Sequence, residues 1–337
     1  MQWRPLIILL LLVLMFFILN ISLGSVNIPL SEVASILLGD GAGEDPWRHI
    51  ILDFRLPRAL TAITVGAGLA VCGLEMQSLF RNALAGPFVL GISSGASLGV
   101  ALAVLAGISL GGPWMGSWTI VLAGMAGAGL VFLSVMGVSV RLRDNMALLI
   151  FGLMLGSITG AIVSVLQYFS KAEDIRVFLL WTFGNLGGVT YDRLTVLAPI
   201  VFIGILMAFL LSKQLNMLLL GEQYAASMGS RVKRVRFLVI ISSCLLAGPI
   251  TAFCGPVAFI GIAVPHLVRM LVPTANHQML FPASALGGAA ILLFCDLVSQ
   301  LPGSDHVLPL NAVTSIIGAP VVIWVIIKKG HIRRSLS

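Results

Sequence analysis

The sequence predicts an all-α polytopic membrane bundle of about ten transmembrane helices, and three observations carry that reading. Of the 337 residues, 58% are hydrophobic and only 10% charged, with a mean hydropathy of +1.07, against roughly 45–50% apolar and 25% charged in soluble domains. Apolar runs of the length that crosses a bilayer core recur along the chain between polar or glycine/proline breaks. The net charge of +7 is spread through those breaks, which excludes the concentrated basic face of a nucleic-acid binder.

The first run, Pro5 to Ile21, follows Arg4 and has no small-x-small cleavage site after it. It is expected to be a retained helix over 5–23 and not a signal peptide. Further spans are expected over 60–80, 88–110, 118–140, 146–169, 194–211, 237–253, 257–270, 279–301 and 308–327. The span at 257–270 is short and carries Pro265, His266 and Arg269, so a broken or partly inserted helix is expected there. Between the first two spans, Ser31 can cap a short helix over Glu32 to Leu38 that Gly39 ends. A second interfacial helix is expected over Ile175 to Leu186, where Val177, Phe178 and Trp181 stand among polar residues.

Lysine and arginine are retained on the cytoplasmic side. An even number of spans puts both termini on one face. That face holds 14 of the 20 basic residues, among them Arg4, Arg81, Arg141, Lys213 and the run Arg231, Lys233, Arg234 and Arg236. Only Arg48, Arg55, Arg58, Lys171, Arg176 and Arg193 lie opposite, so both termini are predicted to be cytoplasmic. Gly86-Pro87 followed by Gly91-Ile92 has a counterpart in Gly255-Pro256 followed by Gly261-Ile262. Two inverted five-helix halves, about 1–190 and 191–337 of one domain spanning 1–337, would produce this pattern; the frequent glycines and prolines of membrane helices also produce it by chance.

No catalytic or metal-binding constellation is expected. The five histidines are scattered without HExxH spacing, and Cys72, Cys244, Cys254 and Cys295 lie in apolar runs without CxxC, as buried small hydrophobes do. No Gly-Lys dipeptide occurs, so there is no Walker A loop, and any ATP and Mg must be bound by another chain. Glu75 and Asp296 fall inside apolar runs, where a charge costs about 2.5–3.5 kcal/mol at mid-bilayer. They could form the proton relay of a secondary transporter. Alternatively Glu75 reaches the inner interface near Arg81 while Asp296 caps backbone groups, the preferred reading because no other ionisable intramembrane residue joins the two. The largest cytoplasmic connection runs from Lys213 to Arg236 and contains the segment 215–232. Within it Gly221, Glu222 and Gln223 start a short helix through Ala225, Ala226 and Met228, stopped by Gly229. Such a helix is either a handle for a partner or part of an ordinary basic loop.

Longer motifs bear on that choice. Arg55-Leu56-Pro57-Arg58, Gly66-Ala67, Gln77, Arg81-Asn82-Ala83-Leu84-Ala85-Gly86-Pro87 and Gly91-Ile92-Ser93-Ser94-Gly95-Ala96 closely resemble the first half of FecCD-type permeases. These are the membrane subunits of bacterial ABC importers for iron-siderophore complexes, haem and vitamin B12. Gly221 to Gly229, Gly255-Pro256 to Pro265-His266-Leu267-Val268-Arg269, and Gly318-Ala319-Pro320 resemble the second half in the same order.

The resemblance implies two copies of the permease in the bacterial inner membrane, two separate ATPase subunits and a periplasmic substrate-binding protein. It implies ATPase coupling through Gly221, Glu222, Ala225, Ala226, Met228 and Gly229, and binding-protein docking through Arg55 and Arg58. An inner gate maps onto Asp144, Asn145 and Met146, and a second constriction onto Asn82 and Leu84. The chain departs from the family at Ala83, at Val307-Leu308-Pro309-Leu310-Asn311, and at Gln300 where relatives have an arginine. An asparagine at 311 near the path could bind an oxyanion, so molybdate or tungstate stands as an alternative cargo to a metal chelate.

Overall fold

The computed structural model describes residues 3–39, 46–107, 118–141, 145–301 and 306–334, whose regular structure is all helical, without a β-strand. In chain order the helices are α1 (Arg4–Ser22), α2 (Leu30–Leu38), α3 (Pro46–His49), α4 (Leu56–Leu79), α5 (Ile92–Val104), α6 (Thr119–Arg141), α7 (Asn145–Phe169), α8 (Ala172–Thr182), α9 (Tyr191–Leu210), α10 (Ser212–Leu220), α11 (Glu222–Ser227), α12 (Val232–Cys254), α13 (Ile260–Leu271), α14 (His277–Ser299) and α15 (Leu310–Arg334). A π-helical stretch, Ile50–Arg55, joins α3 to α4 without interruption.

Each of the ten expected spans has a helix. Among the described residues seven are long and apolar enough to cross a membrane, while α5, α13 and Leu310–Val325 of α15 are shorter apolar helices. The 13 residues of α5 rise about 20 Å, short of a hydrocarbon core of about 30 Å. Extended or 3₁₀ backbone at Gly86–Leu90 and Gly255–Phe259 precedes the two half-length helices. Such backbone is tolerated at membrane depth only when buried in protein. Pro87 and Leu90 are buried, and α5 packs on α12 as α13 packs on α4.

The bundle has a centre and a rim. Within their most apolar windows, Pro46–Leu79 is 83% buried, Val232–Cys254 78% and His277–Ser299 61%, whereas α1, α6, α7 and α9 lie between 22% and 33%. The central helix α4 approaches α14 through Gly66 and Gly288 and α13 through Gly73 and Gly261, where an added Cβ would overlap the facing backbone. Small residues permit such contact, which supplies the packing that association in lipid depends on. All four cysteines are free and buried, as their apolar settings led one to expect.

Both short helices expected between the spans form, with shifted ends. The turn before α2 places Pro29 and not Ser31 at its N-cap, and no side chain caps it; Gly39 ends it in the left-handed region at φ 88°. The helix expected at 175–186 is α8, which begins at Ala172 so that Glu173 and Asp174 occupy its first turn, where acidic side chains favour the positive end of the helix dipole.

Candidate functional site

The segment 215–232 contains two helices where sequence alone led us to expect one. The first, α10, buries Ser212, Leu215 and Leu218 along one face. Gly221, at φ 128° and ψ 145°, then turns the chain through a region that essentially only glycine occupies. The second helix, α11, is six residues long and ends in a Schellman motif: Gly229 N–H donates to Ala226 O and Ser230 N–H to Ala225 O, each at 3.0 Å. Gly229 supplies the left-handed residue at φ 85°, the conformation that motif requires.

The faces of α11 have different fates. Ala225 is fully buried against the bundle, so it anchors the helix and is not available to a partner, contrary to its assignment from sequence. Tyr224 and Met228 are 52% and 55% exposed, and Ala226 is exposed beside them. Glu222 accepts from Arg236 Nη2 at 3.0 Å, tying the start of α11 to α12.

Nearby, the sequence signatures meet one another. Gln77 accepts from Arg269 Nη1 at 2.7 Å and donates to Ile262 O at 3.2 Å, and His266 Nε2 lies 2.7 Å from Ala83 O. Arg81, in the left-handed region at φ 47°, donates through Nε to Leu218 O at 3.1 Å. Asn82 Oδ1 accepts Leu84 N–H at 3.0 Å in an Asx turn, leaving Leu84 44% exposed. Met146, at the start of α7, is 56% exposed. Asp144 and the side chain of Asn145 lie outside the described residues.

At the opposite end of α4 both expected docking arginines are already engaged. Arg55 is 6% exposed and donates to Ile21 O and Ser22 O at 2.7 and 2.8 Å and also to Val26 O. It therefore closes the turn after α1 and does not point outward. Arg58 forms a forked ion pair with Asp296, Nη2–Oδ1 2.8 Å and Nε–Oδ2 3.1 Å, and Gln300 Nε2 donates to the same carboxylate at 2.9 Å. Asp296 thus does not cap backbone groups. A cavity of about 700 Å³ lined by Phe54, Arg55, Arg58, Phe183, Gln300 and Leu308 opens at this end.

Glu75 does not reach the interface. It is fully buried, with Oε2 accepting from Ser242 and Ser243 hydroxyls at 3.1 Å each. The relay reading requires Glu75 and Asp296 to communicate, yet Asp296 is neutralised locally and Glu75 is held by α12. Asn311 Oδ1 accepts Ala258 N–H at 3.1 Å, so that oxygen holds the break before α13. No group of three or more His, Cys, Asp or Glu side chains that could hold a metal occurs among the described residues.

Half-helices after glycine/proline breaks, a centrally buried α4, and a short exposed helix between two positive-φ glycines define a polytopic permease. The chain belongs to the FecCD transport family, whose profile matches residues 10–328. It is 35% identical to the hemin transport system permease HmuU of Yersinia pestis over 317 residues, 94% of each chain. It is also 35% identical to the vitamin B12 import permease BtuC of Salmonella paratyphi A over 281 residues, 83% of this chain and 84% of that one. The fold matches a solved transporter described as of the metal-chelate ABC type, in an inward-facing conformation, with TM-score 0.84, 30% identity and coverage of 96% and 99% of the two chains. PsaBC of Streptococcus pneumoniae shares the fold at TM-score 0.53 and 16% identity.

Proposed function

We propose that this chain is the permease subunit of a binding-protein-dependent ABC importer that moves a metal chelate, such as haem, cobalamin or an iron-siderophore complex, across the bacterial inner membrane. Two copies enclose the path, both termini face the cytoplasm, and two separate ATPase subunits bind ATP and Mg. This chain needs no cofactor of its own. The observation that carries the reading is α11, an exposed helix held between Gly221 and Gly229 at the basic end of the bundle. Tyr224, Ala226 and Met228 are the surface offered to an ATPase groove, with Ala225 and Glu222 anchoring it from beneath. At the other end Arg58, which lines the open cavity, is the docking residue for an acidic group of the binding protein, while Arg55 supports the turn beside it.

The transport step is alternating access: nucleotide-driven closure of the ATPases displaces α11, and the bundle changes the side on which its path is open. Co-purification tests the partner. Met228→Arg should abolish recovery of the ATPase with a folded permease, and unchanged recovery would refute the docking surface. Topology has its own test, with the native cysteines replaced. Ser227→Cys should react with an impermeant thiol reagent only from the cytoplasmic side and Glu173→Cys only from the periplasmic side. Labelling of both from one side would overturn the orientation.

A further inference from the structure

Between the coupling segment and the buried core runs a hydrogen-bonded polar chain. Asn216, on α10, points its side chain at the start of α14. Its Oδ1 accepts the backbone N–H of His277 at 2.9 Å and faces His277 Nδ1 at 2.6 Å. Its Nδ2 donates to Asn276 Oδ1 at 3.0 Å, and Asn276 Oδ1 also accepts Gln278 N–H at 3.0 Å as the N-cap of α14. The first N–H groups of a helix have no partner within it. Here one of them is capped from a different helix.

That arrangement assigns the tautomer of His277. Asn216 Oδ1 is identified as the oxygen because a backbone N–H points at it, so Nδ1 must carry the hydrogen that meets it. Nε2 then offers a lone pair to the hydroxyl of Ser78 on α4, 2.7 Å away, and the single hydroxyl hydrogen turns to the ring in preference to Leu74 O at 2.8 Å, a carbonyl of the same helix. His277 is 1% exposed and joins α10 to α4 through its two ring nitrogens. A second tie lies just past the end of α4, where Arg81, in a left-handed conformation unusual for a residue with a side chain, donates to Leu218 O of α10. A passive connector between two spans has no need of both a buried tie to the central helix and a second tie to the turn that follows it.

We propose that the hydrogen-bonded chain Asn216–His277–Ser78, with the Arg81–Leu218 tie, is the transmission element that carries displacement of α11 into α4 and α14, and that His277 is its positioning residue. The proposal rests on the assignment of α11 as the ATPase-docking helix. The geometry explains why the motion enters at this point: α10 adjoins α11 across Gly221 and is tied through His277 to α14 and α4 and through Arg81 to the turn after α4. Loss of a tie lets α10 follow α11 while α4 and α14 stay behind.

The test uses the permease reconstituted with its ATPase in lipid vesicles, the native cysteines replaced and Leu84→Cys added as a reporter of the inner face. Its rate of modification by an impermeant thiol reagent is compared without nucleotide and with ATP and vanadate. In the parent the nucleotide changes that rate. With Asn216→Ala, Ser78→Ala or His277→Ala the change should shrink by about fivefold or more, the lower end of ordinary coupling energies, while the ATPase stays bound and hydrolyses ATP. His277→Asn, whose amide replaces the Nδ1 donor, should restore more of the response than His277→Ala. Should His277→Ala fail to fold, Ser78→Ala and Asn216→Ala each remove one small group and decide the question. Full nucleotide response in those variants would overturn the proposal. Failure of the docking reading looks different: Met228→Arg would then retain both the ATPase and the response.

Discussion

Arg58 and Asp296 stand 238 residues apart in the chain and meet in a forked ion pair whose carboxylate is fully buried. Removing one member of such a pair leaves a buried charge without its partner, at a cost of about 3–5 kcal/mol. Asp296→Ala should therefore lower the thermal unfolding temperature of the purified permease, and Arg58→Met with Asp296→Leu should recover most of the loss. Equal stability of Asp296→Ala and the parent would contradict a structural role for the pair. Gly229 poses a different problem, because no atom lies within 4 Å of an added Cβ. The cost of a side chain there is conformational only, about 1–2 kcal/mol for a left-handed residue. Gly229→Val should weaken ATP-coupled transport with assembly of the permease intact, whereas Gly229→Asn should be tolerated, since asparagine also occupies helix C′ positions. Identical transport by the valine and asparagine variants would show that the Schellman end of α11 does not matter. Neither partnership of Asp296 is visible in the sequence, where a lone acidic residue in an apolar run suggested a cap in preference to a relay and gave no sign of Arg58 or Gln300 as its partner. The left-handed glycine, by contrast, is legible, because its place after a short helix and before a basic run allows few other conformations.

Helices differ in how far their sequences foretell them. The long spans follow from apolar length, and most of their ends fall within a few residues of expectation; α4 extends back through the π-helical stretch to Pro46, α12 starts at Val232 and not at 237, and α15 runs on to Arg334 past 327. The half-helix α5 starts at Ile92 and not at 88, because Gly91 at φ 75° caps it and the preceding residues, though equally apolar, form a 3₁₀ turn. Composition does not distinguish a helix from a buried extended stretch. The connection 213–220 reads as a loop, yet Ser212, Leu215 and Leu218 at helical spacing form the buried face of α10; that periodicity was the available signal. Close approach of α4 to α14 is likewise hidden until Gly66 and Gly288 are seen face to face. Gly66→Leu or Gly288→Leu should force the two helices apart and leave little monodisperse protein on size-exclusion chromatography in detergent. Gly129→Ala, at a position with nothing within 4 Å of the new methyl, should elute as the parent does. A monodisperse Gly66→Leu variant would refute the claim that this contact organises the bundle.

For the whole molecule, the class was legible because it depends on sums over many residues: the number of apolar spans and the order of several long motifs. The structure adds a reason for those motifs, since Gln77 meets Arg269 and Ala83 meets His266, so that segments nearly 200 residues apart hold each other in place. It also separates the anchoring face of α11 from the exposed one, a division that a run of small residues does not disclose. What drives transport is decided by the energy source. Permease and ATPase reconstituted in lipid vesicles, with the cognate binding protein and haem, cobalamin or a ferric siderophore offered outside, allow uptake to be followed with ATP inside or with an imposed pH gradient. Uptake should require internal ATP and the ATPase subunit, and should vanish with Met228→Arg. Uptake driven by the pH gradient without the ATPase, and unaffected by Met228→Arg, would contradict the assignment of this chain as an ATP-coupled permease.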